Sequence, residues 1–144
     1  FVKRDVNKAI HYFTLAANQN FAMAQNNLGN IFYHGNYIER DIGKAIYYLT
    51  LAANQNVSNA QFKLGVIYYT GKYVKPDIEK SIHYFTLAAN QNDIEAFYNL
   101  GFIYCTGEYV PIDINKAIYY YKIAAKNNLA CAQYNLGLIY INIF

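Results

Sequence analysis

The chain has 144 residues, of which 55% are apolar and 15% charged; this composition supports one folded core and excludes a highly charged, disordered segment. The net charge of +3 comes from scattered lysines and arginines, so charge does not favour nucleic acid as a partner. No stretch reaches the roughly 18 apolar residues that indicate a membrane span. Cys105 and Cys131 form neither a metal-ligand spacing nor a disulfide framework, which suits a reducing, cytoplasmic compartment.

One sequence pattern recurs along the whole chain. Copies of the segment AANQNVSNAQFKLG begin at Ala16, Ala52, Ala88 and Ala124, an offset of 36 residues each time. A fixed period of this length is typical of arrays that stack one supersecondary unit. We therefore predict a single solenoid with units at about 5–40, 41–76, 77–112 and 113–144. Because residues 1–4 align with the loop residues 37–40, we expect the chain to be part of a longer array.

The first element of each unit is a predicted amphipathic helix. In the first unit Val6, Ala9, Ile10 and Phe13 recur at helical spacing after Asp5. Aspartate is a favourable N-cap, and its equivalents are Asp41, Asp77 and Asp113. A lysine, not a glutamate, stands at the third position after each aspartate, which predicts a plain cap instead of a capping box. We place these helices at about 6–18, 42–54, 78–90 and 114–126.

A tight turn and a second helix follow in each unit. Asparagine tolerates the left-handed backbone that ends a helix, and it stands at positions 20, 56, 92 and 128. The second helices are predicted to end at Gly35, Gly71 and Gly107. The loops that follow share a tyrosine: Tyr37, Tyr73 and Tyr109. Glycines inside the second helices predict a close approach of another helix at each of Gly29, Gly65, Gly101 and Gly137.

Two joined motifs connect these elements to a known family. The motif A-x3-LG-x2-Y-x2-G is formed by Ala60, Leu64, Gly65, Tyr68 and Gly71. The motif D-x2-KA-x6-AA is formed by Asp77, Lys80, Ser81 in place of Ala, Ala88 and Ala89. This combination resembles the Sel1-like repeat, a TPR-like helical repeat, over essentially the whole chain. The resemblance implies an all-α solenoid of antiparallel helix pairs, with about eight helices in a right-handed superhelix, that acts as a scaffold or adaptor.

The sequence departs from the family pattern at two positions in each unit. Asparagine replaces the usual glycine after the first helix, and tyrosine stands where the family often has tryptophan, at Tyr12, Tyr48, Tyr84 and Tyr120. We expect the turn to survive both changes. Cysteine-rich members of the family pair the two helices of one repeat by disulfides; Cys105 and Cys131 lie in different units and cannot make that pairing.

The second helices carry a set of residues that differ between units and lie away from the core face. We call this set the inner stripe: Asn27, Asn30, His34, Lys63, Val66, Thr70, Asn99, Phe102, Thr106, Asn135 and Leu138. If the second helices line the concave side, as in similar repeat proteins, the amides can bind an extended peptide backbone beside apolar patches at Phe102 and Leu138. The alternative is a solvated face whose apolar members are partly buried.

A second surface lies on the first helices, roughly opposite their core face. We call it the outer ridge: His11, Leu15, Tyr47, Leu51, His83, Leu87, Tyr119 and Ile123. An apolar ridge of this kind favours contact with another protein or another copy of the array. The alternative is that a flanking loop or a further domain covers it.

The sequence offers no support for catalysis. Neither Ser58 nor Ser81 opens a serine-nucleophile motif, the three histidines lack metal-ligand spacing, and no glycine-rich phosphate loop is present. We predict no catalytic residue, metal or cofactor, and a protein-interaction module whose partner is a protein or peptide. A purely architectural spacer of a larger assembly is the alternative. An RNA-binding repeat would need a more basic stripe, whereas Lys63 is opposed there by Glu95.

Overall fold

The computed structural model describes residues 5–36 and 38–142 and contains eight α-helices within these ranges. They are α1 (Val6–Asn18), α2 (Ala22–His34), α3 (Ile42–Asn54), α4 (Ser58–Thr70), α5 (Ile78–Ala89), α6 (Ile94–Thr106), α7 (Ile114–Lys126) and α8 (Ala130–Asn142). The odd-numbered helices are the first helices of the units and agree with the predicted ranges to within one residue. The all-α prediction is confirmed. Tyr37 and residues 1–4, which entered the predictions, lie outside the described residues.

Each first helix begins after the aspartate that the sequence predicts as its N-cap. Its carboxylate accepts a hydrogen bond of 2.9–3.0 Å from the backbone N–H of the lysine three positions later. The Nζ of the same lysine lies 2.9–3.7 Å from the other carboxylate oxygen, a contact that the cap pattern does not predict. The backbone N–H of Lys44 lowers the pKa of Asp41, and that of Lys80 lowers the pKa of Asp77. These caps therefore stay ionised at neutral pH.

The turns adopt the left-handed conformation that the sequence predicts. Asn20, Asn56, Asn92 and Asn128 have φ angles of 61–63°. The second helices of the first three units end at glycines with φ angles of 58–65°: Gly35, Gly71 and Gly107. These turns bring the two helices of each unit together, and their alanines and leucines form one core cluster per pair, such as Ala52, Ala60 and Leu64 around Leu49. The predicted helix pairs are therefore present in all four units.

The units are joined where the second helix of one packs on the first helix of the next, a contact that we call a junction. A Cβ built on Gly29 would lie 2.6 Å from Leu49, and one on Gly65 would lie 2.6 Å from Phe85. On Gly101 it would lie 2.7 Å from Tyr121. The predicted close approach is thus confirmed at three glycines. It is wrong for Gly137, where a Cβ would meet nothing within 4 Å, because no first helix packs on α8 within residues 5–36 and 38–142.

Aromatic rings flank each glycine at the junctions. Phe32 and Tyr48, Tyr68 and Tyr84, and Tyr104 and Tyr120 stack with ring centroids 6.0–6.1 Å apart and interplanar angles of 7–14°. A lysine ammonium lies 4.7–5.1 Å above the first ring of each pair, from Lys44, Lys80 and Lys116 respectively. Three of the four tyrosines that replace the family's tryptophan, Tyr48, Tyr84 and Tyr120, are therefore junction residues.

Two junctions also contain a hydrogen-bonded pair of glutamines. Gln55 Nε2 donates to Gln25 Oε1 at 2.7 Å, and Gln91 Nε2 donates to Gln61 Oε1 at 2.6 Å. The accepting glutamines are each 1% exposed and donate to a backbone carbonyl in their own unit, at 3.3 and 3.1 Å. The third junction has no such pair because Phe97 stands at the accepting position. Packing and hydrogen bonds together thus fix how one unit sits on the next.

Candidate functional site

The inner stripe is a continuous surface that crosses from unit to unit. Asn30 Nδ2 donates to Asn59 Oδ1 at 3.2 Å, which joins α2 to α4. Tyr69 of α4 packs edge-on against Phe102 of α6, with ring centroids 6.4 Å apart. Asn135 of α8 donates from Nδ2 to the Tyr98 hydroxyl of α6 at 3.5 Å. The second helices of neighbouring units therefore contact each other along the stripe.

Several polar groups of the stripe are already used by their own helices. Asn99 Nδ2 donates to Glu95 O at 2.7 Å, Thr70 Oγ1 to Val66 O at 2.9 Å, and Thr106 Oγ1 to Phe102 O at 3.1 Å. A donor occupied in this way is less available to a bound peptide. The stripe consequently offers fewer free donors than its amide-rich sequence indicates, because side-chain rotamers decide where each donor points.

The N-terminal end of the stripe is shaped by basic and aromatic side chains. Lys63 is half-buried and places its ammonium 5.2 Å from the centroid of the Tyr33 ring. Burial lowers the pKa of Lys63. Burial is the main cause that lowers the pKa of His34, and the positive charges of Lys63 and Arg40 lower it further. The His34 imidazole is therefore neutral at pH 7, and a cavity of about 150 Å³ opens beside it, lined by Asn30, Ile31, His34 and Asn36.

A second cavity lies between α6, α7 and α8, and we call it the C-terminal pocket. Its volume is about 440 Å³. Its lining includes four residues of the predicted stripe, namely Phe102, Thr106, Asn135 and Leu138. Four further residues that the sequence analysis did not assign to the site complete it: Cys105, Ile114, Tyr121 and Ile139. The structure thus concentrates the C-terminal half of the stripe around one concave site.

The pocket exists because a small side chain replaces a ring. Cys105 occupies the position that holds Tyr33 in the first unit and Tyr69 in the second. The Tyr33 ring packs edge-on against Tyr73 at 6.3 Å, and the Tyr69 ring does so against Phe102 at 6.4 Å. A thiol cannot fill that volume. Aligning this position across the four units is the sequence signal that would have found Cys105.

The polar groups of the C-terminal pocket are uncharged at neutral pH. Asn135 Nδ2 donates to the Tyr121 hydroxyl at 3.1 Å, which leaves Asn135 Oδ1 unused by that bond. Burial raises the pKa of Tyr121 and of Cys105, so the phenol and the thiol both stay protonated. Within the described ranges, no group of three His, Cys, Asp or Glu residues could hold a metal ion. The pocket is therefore suited to an apolar side chain with one or two hydrogen-bonding groups.

The structure also places each residue of the outer ridge. Its aromatic members His11, Tyr47, His83 and Tyr119 are exposed, and each ring packs edge-on against the following tyrosine at 5.1–5.3 Å. Leu15 is 47% exposed, whereas Leu51, Leu87 and Ile123 are only half-exposed. The ridge is thus a row of aromatic patches with narrower apolar surface between them. No cavity is associated with it among those described.

Two further expectations concern the state of the cysteines and the presence of a membrane span. Cys105 and Cys131 are both free thiols, Cys105 half-buried and Cys131 exposed. The helices described here have 12 or 13 residues, and none is long and apolar enough to cross a membrane.

Comparison with known proteins places this fold. The chain is similar to the crystal structure of a Sel1 repeat protein from Oxalobacter formigenes, with 36% identity and a TM-score of 0.86, over 96% of this chain and 57% of that one. It is similar to a protective antigen present in uropathogenic Escherichia coli strains that displays an SLR fold, with 28% identity and a TM-score of 0.84, over 92% of this chain and 28% of that one. Helicobacter pylori cysteine rich protein B matches with 29% identity and a TM-score of 0.67, over 92% of this chain and 95% of that one.

The family assignment follows from the sequence itself. No curated protein matches the chain. The profile of the Sel1 repeat family matches residues 1–21, 22–57, 58–93, 94–129 and 132–142. Most of these ranges begin at the second helix of a unit, whereas the units defined above begin before the first helix. The repeat is the same in both descriptions. Because they span nearly the whole sequence, the resemblance is confirmed and the chain belongs to the Sel1 repeat family.

Proposed function

We propose that this chain is a non-catalytic interaction module that binds an extended peptide segment of a partner protein along the inner stripe. An apolar side chain of that segment occupies the C-terminal pocket. Sel1 repeats are generally protein–protein interaction modules, which supports the class of function. The single observation that carries the proposal is the C-terminal pocket, since it is lined by stripe residues from α6 and α8.

The size and chemistry of the pocket support this use. Ligand pockets commonly have volumes of roughly 300–1,000 Å³ and combine an apolar lining with a few polar groups. The C-terminal pocket has a volume of about 440 Å³ and is lined mainly by apolar side chains. Asn135 Oδ1 supplies an acceptor for a backbone N–H of the bound segment. A leucine or an aromatic residue is the anchor that best matches such a lining.

The architectural alternative has its own support. The outer ridge exposes large apolar side chains, with Tyr47 59% exposed on α3 and Tyr119 60% exposed on α7. A spacer that contacts a larger assembly through this ridge would use those surfaces and leave the pocket empty. Peptide binding at the pocket therefore distinguishes the two functions.

The test is selection of a displayed random peptide library on the 144-residue chain. The enriched peptides are then synthesised, and their affinities are measured by fluorescence anisotropy for the wild type and for Cys105→Tyr. That substitution restores the ring found at the same position in the first two units. We expect the enriched sequences to share an apolar anchor residue and their affinity to fall at least tenfold in Cys105→Tyr. The matched control is Tyr47→Ala on the outer ridge, which we expect to bind as the wild type does.

A chemical measurement localises the bound peptide. In a Cys131→Ser background, Cys105 is the only thiol in the chain. We expect a saturating peptide to slow alkylation of Cys105 at least fivefold, because the anchor side chain covers its sulfur. Peptides that bind Cys105→Tyr as tightly as the wild type, or that lose affinity only in Tyr47→Ala, would remove the pocket from the function. Failure to enrich any peptide would favour the architectural alternative.

A further inference from the structure

Three positive side chains surround a pair of tyrosine rings in the first half of the inner stripe. The Lys63 ammonium lies 5.2 Å from the centroid of the Tyr33 ring, and that ring packs edge-on against the Tyr73 ring at 6.3 Å. The centroid of the Tyr73 ring lies 4.8 Å from the Arg40 guanidinium carbon and 5.1 Å from the Lys72 ammonium. We call these five residues the basic site.

Hydrogen bonds hold Arg40 in the basic site. Its Nε donates to Tyr33 O at 2.9 Å, its Nη1 to the Tyr73 hydroxyl at 2.6 Å and its Nη2 to His34 O at 3.1 Å. These bonds use three of the five N–H groups of the guanidinium. Because the Arg40 side chain is exposed, its other N–H groups are accessible to a ligand.

The three cations of the basic site form no ion pair within residues 5–36 and 38–142. The ion pairs of these ranges join the cap aspartates of the first helices to the lysines three positions later. Glu39, the residue before Arg40, is not among them. Lys63 is half-buried, and Glu95 is near enough for its charge to oppose the lowering of the Lys63 pKa by burial, but not to pair with it. A cation that has lost part of its hydration is stabilised when a carboxylate binds to it.

The next unit has the same pair of rings with different charges around it. The Tyr69 and Tyr109 rings pack edge-on at 6.1 Å, as the rings of the basic site do. The three cationic positions hold uncharged or acidic residues there: Pro76 for Arg40, Asn99 for Lys63 and Glu108 for Lys72. Positive charge is therefore local on the stripe, and a negative charge follows one unit later. This arrangement fits a single carboxylate better than a long polyanion such as RNA.

We propose that the basic site binds an aspartate or glutamate side chain of the partner peptide, and that this contact determines the direction and register of the peptide on the inner stripe. The inference rests on the proposed function, because it takes the C-terminal pocket as the place of the apolar anchor. The carboxylate binds the Lys63 ammonium, and the charges of Arg40 and Lys72 add to the attraction.

The spacing of the helices determines how far the acidic residue lies from the anchor. The basic site lies between α2 and α4, and the C-terminal pocket is lined by residues of α6 and α8, two units further along. Packed helices have axes about 8–10 Å apart, so the two sites are separated by roughly 16–20 Å. An extended peptide advances about 3.3 Å per residue. We therefore expect the acidic residue about five or six positions from the apolar anchor, on one side of it only.

The test uses the peptides enriched on the wild-type chain, each synthesised in two versions. One version keeps the acidic residue, and the other carries the matching amide, glutamine for glutamate or asparagine for aspartate. Both are acetylated and amidated at their ends, so that only side chains supply carboxylates. We expect the amide version to bind the wild type about fivefold more weakly in fluorescence anisotropy. That difference is expected to shrink when NaCl is raised from about 50 mM to about 500 mM.

The decisive variant is Lys63→Asn, because asparagine stands at the same position in the other three units. We expect it to bind both versions with the affinity that the wild type has for the amide version, a result that also requires a folded chain. The matched control is Lys126→Asn, which removes one positive charge from α7, outside the inner stripe. It likewise introduces the asparagine that the other three units carry at that position. We expect the control to distinguish the two versions as the wild type does.

The proposal is overturned if the enriched peptides lack an acidic residue at this spacing, if Lys63→Asn weakens both versions alike, or if Lys126→Asn abolishes the discrimination. Single-stranded RNA that displaces the peptides, and that no longer binds Lys63→Asn, would overturn it as well. Peptides that lose affinity in Cys105→Tyr but not in Lys63→Asn would keep the proposed function and remove the basic site. The reverse result would keep acid binding and remove the pocket, and a selection that enriches no peptide would overturn both.

Discussion

The junction face and the inner stripe lie on the same second helices but differ in how far the units agree. At the internal junctions a glycine, a stacked aromatic pair and a lysine recur with nearly the same geometry. Beside the stripe, one equivalent position holds Tyr33, Tyr69, Cys105 and Ile141 in turn. Residues that set the packing of units are shared, whereas residues that set the shape of the exposed surface vary. We therefore expect stability to depend on the first set and binding on the second.

The largest expected effect comes from filling a junction. Gly65→Leu places a side chain where even a Cβ would lie 2.6 Å from Phe85, so the helices must separate. We expect the free energy of unfolding to fall by about 1–3 kcal/mol. Urea denaturation followed by circular dichroism measures this change.

Gly137→Leu is the matched control for that substitution. It makes the same change in an equivalent helix, but no atom lies within 4 Å of the Cβ position. Leucine favours a helix more than glycine does, so the variant is expected to be as stable as the wild type or more stable, by up to about 1 kcal/mol. Equal losses in both variants would contradict the role of close packing at the junction.

A smaller loss is expected from the hydrogen-bonded glutamine pair of Gln61 and Gln91. Gln61→Ala removes the acceptor of Gln91 Nε2 and the donor to Ala53 O, and leaves both groups without these partners. We expect this to cost about 1 kcal/mol of the free energy of unfolding. Gln133→Ala is the control, because Gln133 is exposed and makes only the bond to the carbonyl of Ala125 among the contacts described here. A loss in the control as large as that in Gln61→Ala would show that the inter-unit bond adds nothing.

These two comparisons also show which parts of the molecule the sequence predicts. The helix bounds follow from local signals. The aspartate at the Asp77 position caps the first helix of every unit, and the asparagine at the Asn56 position forms the turn after it. The close approach at Gly65 also follows from the repeat, because an inward helix face meets a neighbour in each inner unit. The same rule is wrong at Gly137, where the outcome depends on whether a helix follows. A local pattern cannot supply that information.

The candidate site was less accessible to prediction for a related reason. Phe102 and Leu138 were predicted as apolar patches, but the pocket between them depends on a ring that is missing at Cys105. Its lining comes from three helices, so no single helical pattern contains it. The Asn99 amide was predicted as a donor for a peptide, whereas its rotamer directs it to Glu95 O. Rotamers and unfilled volume are properties of the packed structure.

A substitution in the C-terminal pocket is expected to change stability less than either junction variant. Cys105→Tyr introduces the side chain already present at the same position in the first two units and fills space that is open in the wild type. We expect the free energy of unfolding to remain within about 0.5 kcal/mol of the wild type, in contrast to Gly65→Leu. Urea denaturation under the same conditions provides the comparison. A loss as large as that of Gly65→Leu would mean that the pocket residues also hold the units together.

The smallest expected effect is confined to acid pH. It concerns the aspartates that cap the first helices, which recur in every unit. Backbone hydrogen bonds lower the pKa of Asp41 and Asp77 in the folded chain below the ordinary value of 3.8. Their contribution to stability is therefore fully present above about pH 4 and is lost as the pH falls through the folded-state values. Asparagine also caps a helix but does not titrate in this range. We expect the double variant Asp41→Asn, Asp77→Asn to lose less stability than the wild type between pH 4 and pH 2, measured as the urea midpoint at each pH. Parallel acid curves for the two proteins would show that these caps do not couple to protonation.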